Sequence, residues 1–297
     1  MKNILVNVGN KSGWISKFKK FTLNIDKYIG TCNKDYCYKK NYKNLDINKY
    51  DLLISLGIDD EYDKINLYDK FLKNGKRVIV FGSGLFFRNN SLDNMCVFVD
   101  GTHFTEFGHK FCNFDFDNKR MGKFFINGYE IKDERTSGSD IVISHYNTPT
   151  WDGKSKELIY SNIYKYSQQF KNTCNIIVRL QPTKQYSKKY IKNLTRMGFQ
   201  VITNTSLTID NFKDSLSNAK MFLSYGGKSP SKAVINGIKV ITFSNNMADM
   251  VSNNIANINS TCFDRGKWLK WLSYNHWYYN EIREGMLWKH LSNMEII

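Results

Sequence analysis

The chain has 297 residues, enough for one large or two medium-sized domains. Hydrophobic residues make up 41% of it and aromatic residues 15%, which is enough for a packed core and excludes a disordered chain. The formal net charge of +16 favours an acidic partner such as nucleic acid. Only eight of the 43 basic residues are arginine, however, and the abundant Lys, Asn, Ile and Tyr are also what an AT-rich genome encodes. The charge therefore has two open interpretations, functional or compositional.

The six cysteines are scattered and form no C-x-x-C pair, which predicts free thiols in a reducing cytoplasm. The apolar N-terminal run is too short for a signal peptide. No window approaches eighteen apolar residues, so we expect a cytoplasmic protein with no membrane partner.

The first third of the chain contains short apolar runs that each end at a glycine or an aspartate. We predict strands at residues 4–8, 52–56, 77–81 and 96–99, with a helix between residues 59 and 74. The runs are continuous rather than alternating, as expected when both faces of a parallel sheet are covered.

The same pattern restarts after an aromatic, glycine-containing stretch at residues 103–140. The apolar spacing predicts helices and strands in alternation, with strands at 141–144, 176–180, 199–203, 221–224 and 239–243, and helices at 156–171, 188–197, 207–218 and 230–236. Residues 265–291 show tryptophan and leucine at helical spacing and predict one long helix. We assign its tryptophans to core packing rather than to base stacking.

These elements predict an α/β fold with two Rossmann-like domains that face each other across a cleft, followed by a long C-terminal helix. The predicted boundaries are 1–138 for the first domain, 139–264 for the second and 265–297 for the C-terminal helix.

Common nucleotide-binding and catalytic motifs are incomplete. The sequence GSGLFFRN after strand 77–81 has two glycines of a dinucleotide fingerprint but Phe86-Phe87 where the third belongs. The segment YGGKS has Phe222 in place of the first glycine of a Walker A motif. We find no G-x-S-x-G hydrolase motif and no residue spacing typical of a metal site, so no metal is predicted.

The segment SYGGKSPSKAVINGIKVITF, residues 224–243, places glycines, a lysine and serines before a predicted helix. Free backbone N–H groups at a helix start, together with hydroxyl and ammonium groups, can bind an anion without a metal. Pro230 is the predicted first helical residue. The alternative is that the two glycines simply form a tight turn. The predicted phosphate site consists of Tyr225, Gly226, Gly227, Lys228, Ser229 and Ser231, with Arg179 and Lys184 as further cations.

Arg179 lies at the carboxyl end of predicted strand 176–180, at the sheet edge where parallel sheets bind ligands. The alternative for Arg179 is an ordinary surface arginine.

Several motifs in the second half resemble those of a known group of enzymes. They are Arg179-x-x-Pro182, Val201-x-Thr-x-Thr205, Ala233-Val234-x-x-Gly237, Asn246-Met247-Ala248 and the tryptophan-rich tail 265–288. Over residues 140–297 the chain resembles bacteriophage-encoded glycosyltransferases, some of which are implicated in decorating modified bases of phage DNA. The Gly226–Ser229 loop does not align with that group residue by residue, so its predicted role rests on chemistry and position.

The resemblance implies a metal-independent GT-B enzyme that holds a nucleotide-sugar, expected to be a UDP-sugar, in the domain 139–264 and uses no other cofactor. It also implies that domain 1–138 binds the acceptor and that the C-terminal helix packs back onto it. An inverting enzyme needs a base for the acceptor hydroxyl. Asp100, at the end of strand 96–99, is the predicted base, and His103 is the competing candidate. The alternative for Asp100 is a turn residue in an Asp-Gly pair, and a retaining mechanism would remove the need for this assignment.

The resemblance and the net charge together imply DNA with a hydroxymethylated pyrimidine as the acceptor. The lysine- and tyrosine-rich stretch 34–43 is the predicted DNA contact, through Lys34, Lys39, Lys40 and Lys43. A solvated loop is the alternative. A surface polysaccharide or a small molecule is the alternative acceptor, and a non-catalytic nucleic-acid-binding protein is the alternative class. The sequence leaves the oligomeric state open.

Overall fold

The computed structural model describes the following residue ranges. They are 1–8, 13–37, 45–57, 67–83, 94–100, 120–121, 132–145, 156–180, 186–203, 212, 214–225, 227–243, 247–248, 251–252 and 264–297.

The described residues contain strands and helices in alternation. In chain order the strands are β1 Lys2–Asn7, β2 Cys32–Cys37, β3 Leu52–Leu56, β4 Arg77–Ser83, β5 Asn94–Val99, β6 Asp140–His145, β7 Asn175–Leu180, β8 Gln200–Ile202, β9 Ala219–Ser224, β10 Lys239–Thr242 and β11 His276–Tyr278. The helices are α1 Trp14–Phe21, α2 Asp26–Ile29, α3 Leu67–Lys73, α4 Lys156–Ser167, α5 Lys188–Arg196, α6 Ser229–Ile235, α7 Arg265–Tyr274, α8 Tyr279–Arg283 and α9 Met286–Asn293. None of the helices in these ranges is long and apolar enough to cross a lipid bilayer.

The chain divides into two compact units, each built around one sheet. Unit 1 comprises Met1–Phe114 and Trp271–Ile297, and unit 2 comprises Asp115–Lys270. The unit 1 sheet has the strand order β11-β5-β4-β3-β1-β2, and the unit 2 sheet has the order β10-β9-β6-β7-β8. The α/β class is as predicted. The domain boundaries predicted after residues 138 and 264 stay predictions.

The central strands of unit 1 are covered on both faces. Ile4 of β1 packs in the cluster that contains Phe18 of α1 and Trp288 of α9, whereas Leu5 packs with Phe71 of α3 on the other face. Successive side chains of a strand point to opposite faces. Burial on both faces therefore explains why this strand reads as a continuous apolar run.

Strand β5 runs antiparallel to β4, with Phe81 opposite Val97. The sequence pattern predicted an entirely parallel sheet, and this part of the prediction is wrong. Only ten residues, 84–93, separate the two strands. A parallel crossover needs a dozen or more residues, so a connection of this length favours an antiparallel pair. The predicted strand bounds left fourteen residues, 82–95, which allowed a parallel crossover.

Strand β2 was not predicted as a strand. It lies at the edge of the unit 1 sheet, parallel to β1, and its sequence CNKDYC alternates between half-buried and exposed positions. Edge strands commonly carry charged residues, which protect them from pairing with other chains. The same residues remove the apolar signal by which the buried strands were predicted.

The C-terminal segment is not the single long helix predicted over 265–291. Three residues, His276–Tyr278, form β11 and pair antiparallel with β5. The helical ladder ends at Asn275, whose carbonyl instead accepts a hydrogen bond from the backbone N–H of Val97 at 2.7 Å. A second break falls at Gly285, whose φ of +87° lies in the left-handed region. Pairing with a distant strand thus overrides the helical periodicity.

The predicted core role of the C-terminal tryptophans is confirmed. Trp268, Trp271, Trp277 and Trp288 are all buried. The indole N–H of Trp288 donates to the Phe21 carbonyl at 2.6 Å, so the ring fills the core and its polar atom is satisfied.

All pairings in the unit 2 sheet are parallel. Helices α4 and α5 cover one face, where Ile143 and Val178 pack against Ile163 and Leu194. All five predicted strands of this half are present within one or two residues of their predicted bounds.

Replacing Trp288 by alanine is expected to lower the free energy of unfolding by about 3–5 kcal/mol, because it leaves a large cavity and frees the Phe21 carbonyl. Urea unfolding followed by circular dichroism measures this loss. Met286→Ala on the same helix is the control, because its side chain is 43% exposed, and we expect a change of only about 0.5 kcal/mol. Equal effects of the two substitutions would contradict the core role of Trp288.

Candidate functional site

The order of strands in unit 2 defines one place where ligands bind in sheets of this kind. Strand β6 is central, and the chain continues from it to β7 and β8 on one side and later to β9 and β10 on the other. The order in which successive strands are added to the sheet therefore reverses between β6 and β9. In open parallel sheets, ligands bind beyond the carboxyl ends of the strands at this switch point.

Polar side chains form a row across the carboxyl edge of this sheet. Ser144 at the end of β6 is in register with Arg179 of β7 and with Ser224 of β9, and Ser224 is in register with Thr242 of β10. Residues in register on neighbouring parallel strands project from the same face. The two serines are buried, so the row forms the floor of the switch point on that face.

Two cationic side chains converge beside this row. The Arg179 guanidinium carbon lies 4.9 Å from the centroid of the Phe212 ring, and the Lys232 Nζ lies 6.0 Å from the same centroid. The ring itself is buried. Both distances are within cation–π range, and a phenyl ring tolerates neighbouring cations without neutralising them. Arg179 is half-buried on the sheet face that carries the polar row.

The predicted phosphate loop lies next to the same edge. Gly227 is buried and has a φ of +81°, which explains the glycine at this position. Lys228 is half-buried and precedes α6, with no hydrogen bond from its side chain to the helix start. Helix α6 begins at Ser229, one residue earlier than predicted, so Pro230 is its second residue.

Two further residues of the predicted loop are buried. Tyr225 packs edge-on against Tyr160, with ring centroids 5.9 Å apart, and belongs to the core between the sheet and α4. Ser231 has no exposed surface, and within the part of the chain that the structure describes its Oγ has no hydrogen-bond partner. A buried hydroxyl without a partner is costly, and a hydrogen bond to a bound ligand, ion or water is one way in which such a cost is relieved.

Six of the predicted site residues lie outside the described residues. They are His103, Lys184, Gly226, Lys39, Lys40 and Lys43.

The predicted placement of Asp100 at the carboxyl edge of a parallel sheet is wrong. Because β5 is antiparallel to β4, Asp100 lies beside the residues that begin β4, at the edge opposite to the carboxyl ends of the parallel strands. Its carboxylate accepts the Val78 backbone N–H at 2.7 Å and is paired with the Arg77 guanidinium. Its backbone carbonyl accepts the Tyr68 hydroxyl at 2.9 Å. With a φ of +49°, Asp100 matches the alternative interpretation of a turn residue.

Lys34 lies in strand β2 rather than in a solvated loop. Its ammonium group is paired with the carboxylate of Asp26, which also accepts the backbone N–H of Cys32 at 3.0 Å. A carboxylate therefore lies beside the positive charge that was predicted to contact DNA.

The sequence did not single out the polar pair at the corresponding place in unit 1. In the unit 1 sheet, the order in which strands are added reverses between β1 and β3. There the Asn7 side-chain amide donates to the Ser55 hydroxyl at 3.0 Å, and that hydroxyl donates to the Gly57 carbonyl at 2.8 Å. Both side chains are buried. The available signal was a polar residue inside each of two apolar strands.

A tyrosine cluster surrounds His145, the last residue of β6. The imidazole Nε2 lies 2.7 Å from the Tyr190 hydroxyl and Nδ1 lies 3.5 Å from the Tyr186 hydroxyl. The ring stacks on Tyr160 with centroids 3.8 Å apart. Tyr164 in turn contacts the Tyr190 hydroxyl at 2.9 Å. This cluster lies on the α4 and α5 face of the sheet, opposite the face that carries Arg179, since neighbouring positions of a strand alternate.

Comparisons with known proteins place the fold. No protein-family model matches the chain, and no curated protein matches it in sequence. Among solved structures, the chain is similar to the β-Kdo 2,7-transferase of KpsC from Thermosulfurimonas dismutans, with a TM-score of 0.58 and 12% identity over 98% of this chain and 99% of that one. It is also similar to the β-Kdo 2,4-transferase of the same organism's KpsC, with a TM-score of 0.52 and 12% identity over 92% of each chain. At this identity the likeness concerns the fold, and the predicted α/β fold with two Rossmann-like domains is confirmed.

The substitution Asp100→Asn tests the structural role of this residue. We expect a loss of about 1–3 kcal/mol in the free energy of unfolding, because the ion pair with Arg77 is lost and the hydrogen bond from Val78 no longer has a charged acceptor. Chemical denaturation measures it, and Asp69→Asn at an exposed position of α3 is the control. An Asp100→Asn variant with wild-type stability would contradict the structural role.

Proposed function

We propose that this protein is a glycosyltransferase of the GT-B type, which transfers a sugar from a nucleotide-sugar to an acceptor hydroxyl. The observation that carries the proposal is the carboxyl edge of the unit 2 sheet, where the polar row lies beside the cationic side chains of Arg179 and Lys232. Lys228 follows strand β9 and precedes α6 at the same edge. The likeness in fold to two Kdo transferases supports this choice among the functions that such an edge can serve.

In the proposed site the diphosphate of the donor lies against Arg179, Lys228 and Ser229. Glycosyl transfer leaves a nucleoside diphosphate as the leaving group, and positive neighbours stabilise the charge that develops on it. Gly227 allows the backbone to approach the phosphates closely. We assign Lys184 and Gly226 to the same phosphate site because they are close to Arg179 and Gly227 in the sequence. The cations take the role that a metal ion has in other transferases.

The buried Ser231 hydroxyl offers the donor one further hydrogen bond. A ligand oxygen that reached it would satisfy a group that has no partner among the described residues. This gives the proposed site a neutral hydroxyl beside its cations.

For the acceptor, we propose hydroxymethylated DNA, on the basis of the net charge of +16 and the sequence resemblance to phage enzymes. The second candidate is a saccharide, which the names of the two similar transferases favour. The base that deprotonates the acceptor is not assigned to any described residue. Asp100 lies at the edge of the unit 1 sheet that is opposite to the carboxyl ends of its parallel strands.

One experiment tests the reaction and separates the acceptors. The protein is incubated with UDP-glucose, UDP-N-acetylglucosamine or nucleotide-activated Kdo, together with hydroxymethylated DNA or a saccharide mixture. Mass spectrometry then detects a nucleoside or oligosaccharide heavier by one sugar. A glycosylated nucleoside supports the DNA acceptor, and a lengthened saccharide supports the second candidate. If no sugar is transferred or hydrolysed from any donor while the protein binds DNA in a salt-sensitive manner, a non-catalytic nucleic-acid-binding protein replaces the proposal.

Replacing Arg179 by glutamine is expected to weaken nucleotide-sugar binding about 10- to 100-fold, because a charge-assisted hydrogen bond to phosphate is lost. Titration calorimetry with the donor that the wild type uses measures it. Arg196→Gln on α5, at an exposed position, is the matched control and should bind as the wild type does. Equal affinities of all three proteins would remove Arg179 from the phosphate site.

Replacing Ser231 by alanine separates a binding role from a structural one. We expect the free energy of unfolding to stay unchanged or to rise by up to about 1 kcal/mol, because an unsatisfied buried hydroxyl disappears. Donor affinity should fall about 3- to 10-fold. Thermal unfolding and calorimetry give the two readouts, with the exposed Ser217→Ala as control. A loss of stability with unchanged affinity would identify Ser231 as purely structural.

A further inference from the structure

The part of unit 2 that contains α4 and α5 lacks acidic residues. From Leu158 to Ile209 the sequence has no aspartate or glutamate in 52 consecutive positions, but it has eight lysine and arginine residues. At the frequency of the whole chain, 27 acidic residues in 297, a stretch of this length would hold about five. Basic residues are about as dense here as in the whole chain, which has 43. A codon bias toward lysine adds positive charge but removes no carboxylates, so it does not explain this stretch.

Five lysines of this stretch are exposed on α4, on α5 or in the turn that follows α4, and we call them the lysine surface. They are Lys165, Lys171, Lys188, Lys189 and Lys192. Among the residues that the structure describes, none of the five ammonium groups has an ion-pair partner. Lys34, Arg77 and Lys239, in contrast, are each paired with a carboxylate. The positive charge of the lysine surface is therefore not neutralised within the described chain.

The two helices that carry these lysines lie side by side on one face of the sheet. The Tyr164 hydroxyl of α4 is 2.9 Å from the Tyr190 hydroxyl of α5. Just beyond the ends of both helices, the side-chain amide of Gln168 donates to the Met197 carbonyl at 3.2 Å. The helices are thus adjacent over much of their length, and their exposed sides form one continuous surface.

The lysines of α5 oppose the stability of their own helix. Lys188 and Lys189 occupy its first turn, which contains no acidic residue, although the positive end of the helix dipole favours acidic residues there. Lys192 follows Lys188 by four positions and Lys189 by three, so the three ammonium groups are neighbours and repel one another. Burial of Leu194 in the core fixes the helix to the sheet instead. Negative charge supplied from outside the chain would relieve this repulsion.

The exposed side of α5 suits the phosphates of a nucleic acid rather than a lipid bilayer. Every exposed residue of α5 is polar, and its apolar residues Ile191 and Leu194 pack toward the sheet. A helix that lies on a membrane needs an apolar side that can enter the lipid. Asn193 and Thr195, which are exposed beside the lysines, are residue types that donate to phosphate oxygens. The exposed side of α5 carries no aromatic ring for stacking on single-stranded bases, so a duplex fits better.

The first turn of α5 lies near the edge of the sheet where the donor site is proposed. Helix α5 connects β7 to β8, which are parallel. A helix between two parallel strands begins at their carboxyl edge and runs back toward the other edge. Lys188 and Lys189 are therefore at the same edge as Arg179. The nine residues of α5 span about 13 Å, a length over which a DNA duplex carries about seven or eight phosphates.

We infer that the lysine surface binds the phosphate backbone of duplex DNA and holds it beside the ligand edge of unit 2. The choice of DNA as the occupant rests on the acceptor in the proposed function. The contact is electrostatic and independent of base sequence, because it is made to phosphates. It differs from the contact predicted at residues 34–43, where the charge of Lys34 is paired with Asp26.

The salt dependence of DNA binding tests the surface. Fluorescence anisotropy measures the affinity of the full chain for a labelled duplex between about 50 and 200 mM salt. In Lys188→Gln/Lys189→Gln/Lys192→Gln, the slope of log affinity against log salt should fall in magnitude by about 2 to 3, because three phosphate contacts are lost. The affinity at the lowest salt should fall at least about 10-fold. Lys165→Gln/Lys171→Gln should lower the slope by about 1 to 2, and an unchanged slope would remove the α4 side from the surface.

A variant of equal net charge is the matched control. Lys27→Gln/Lys73→Gln/Lys289→Gln replaces exposed lysines on three helices of unit 1, and its slope should stay within about 0.5 of the wild-type slope. Urea unfolding should show the α5 variant to be at least as stable as the wild type, because the replaced charges repel one another. Equal losses of slope in the control and the α5 variant, or a wild-type slope in the α5 variant, would overturn the inference.

The outcomes for this surface and for the proposed function are separable. DNA binding that the α5 variant retains in full overturns only the surface. A wild type that binds no DNA but transfers a sugar to a saccharide overturns the surface and leaves the glycosyltransferase. Lysine-dependent DNA binding by a protein that neither binds nor hydrolyses any nucleotide-sugar supports the surface and overturns the proposed function. If the α5 variant keeps DNA binding but loses binding to vesicles of equal parts phosphatidylcholine and phosphatidylserine, a membrane replaces DNA as the partner.

Discussion

The candidate site depends on the parallel, in-register pairing of β6 with both β7 and β9. Parallel ladders align the carboxyl ends of neighbouring strands at one edge. One row is therefore formed by Ser144, Arg179 and Ser224. Along the chain, Arg179 follows Ser144 by 35 positions and Ser224 follows Arg179 by 45. A shift of one residue in the β6–β7 ladder would send Arg179 to the opposite face, and the same shift in the β6–β9 ladder would send Ser224 there. The apolar residues deeper in the strands oppose such a shift, because they would leave the core.

The same alternation gives β6 two different chemical faces at its end. Ser144 projects to the face with Arg179, Phe222 and α6, where cations accumulate beside a phenyl ring. His145 projects to the face with α4 and α5, where its imidazole ring contacts the Tyr190 hydroxyl, which in turn contacts the Tyr164 hydroxyl. One face carries positive charge, and the other carries uncharged hydrogen-bonding groups. Two consecutive residues of one strand thus project into two chemically different surroundings.

Most strands could be predicted because they are buried on both faces and read as continuous apolar runs. The exceptions have specific physical reasons. Strand β2 lies at a sheet edge and carries the charges typical of edges. Strand β11 has only three residues, within a segment whose tryptophans repeat at helical spacing. Asp100 follows an apolar run as a ligand-edge carboxylate would, but an antiparallel strand delivers it to the other edge. Arg179 and the loop around Lys228 could be proposed because their strands are parallel and their residue types suit an anion.

The sequence by itself determined the α/β class, the positions of the buried strands and the residue types at their ends, because burial on two faces and the glycine requirement of turns are local constraints. Only the tertiary structure decided which strand ends meet, which strands run antiparallel and where the C-terminal helix is interrupted. It also decided that His145 is joined to Tyr164 through Tyr190, three residues spread over 45 positions of the chain. These features depend on pairing between distant segments, and the free energy of that pairing is set by the whole fold rather than by the local sequence.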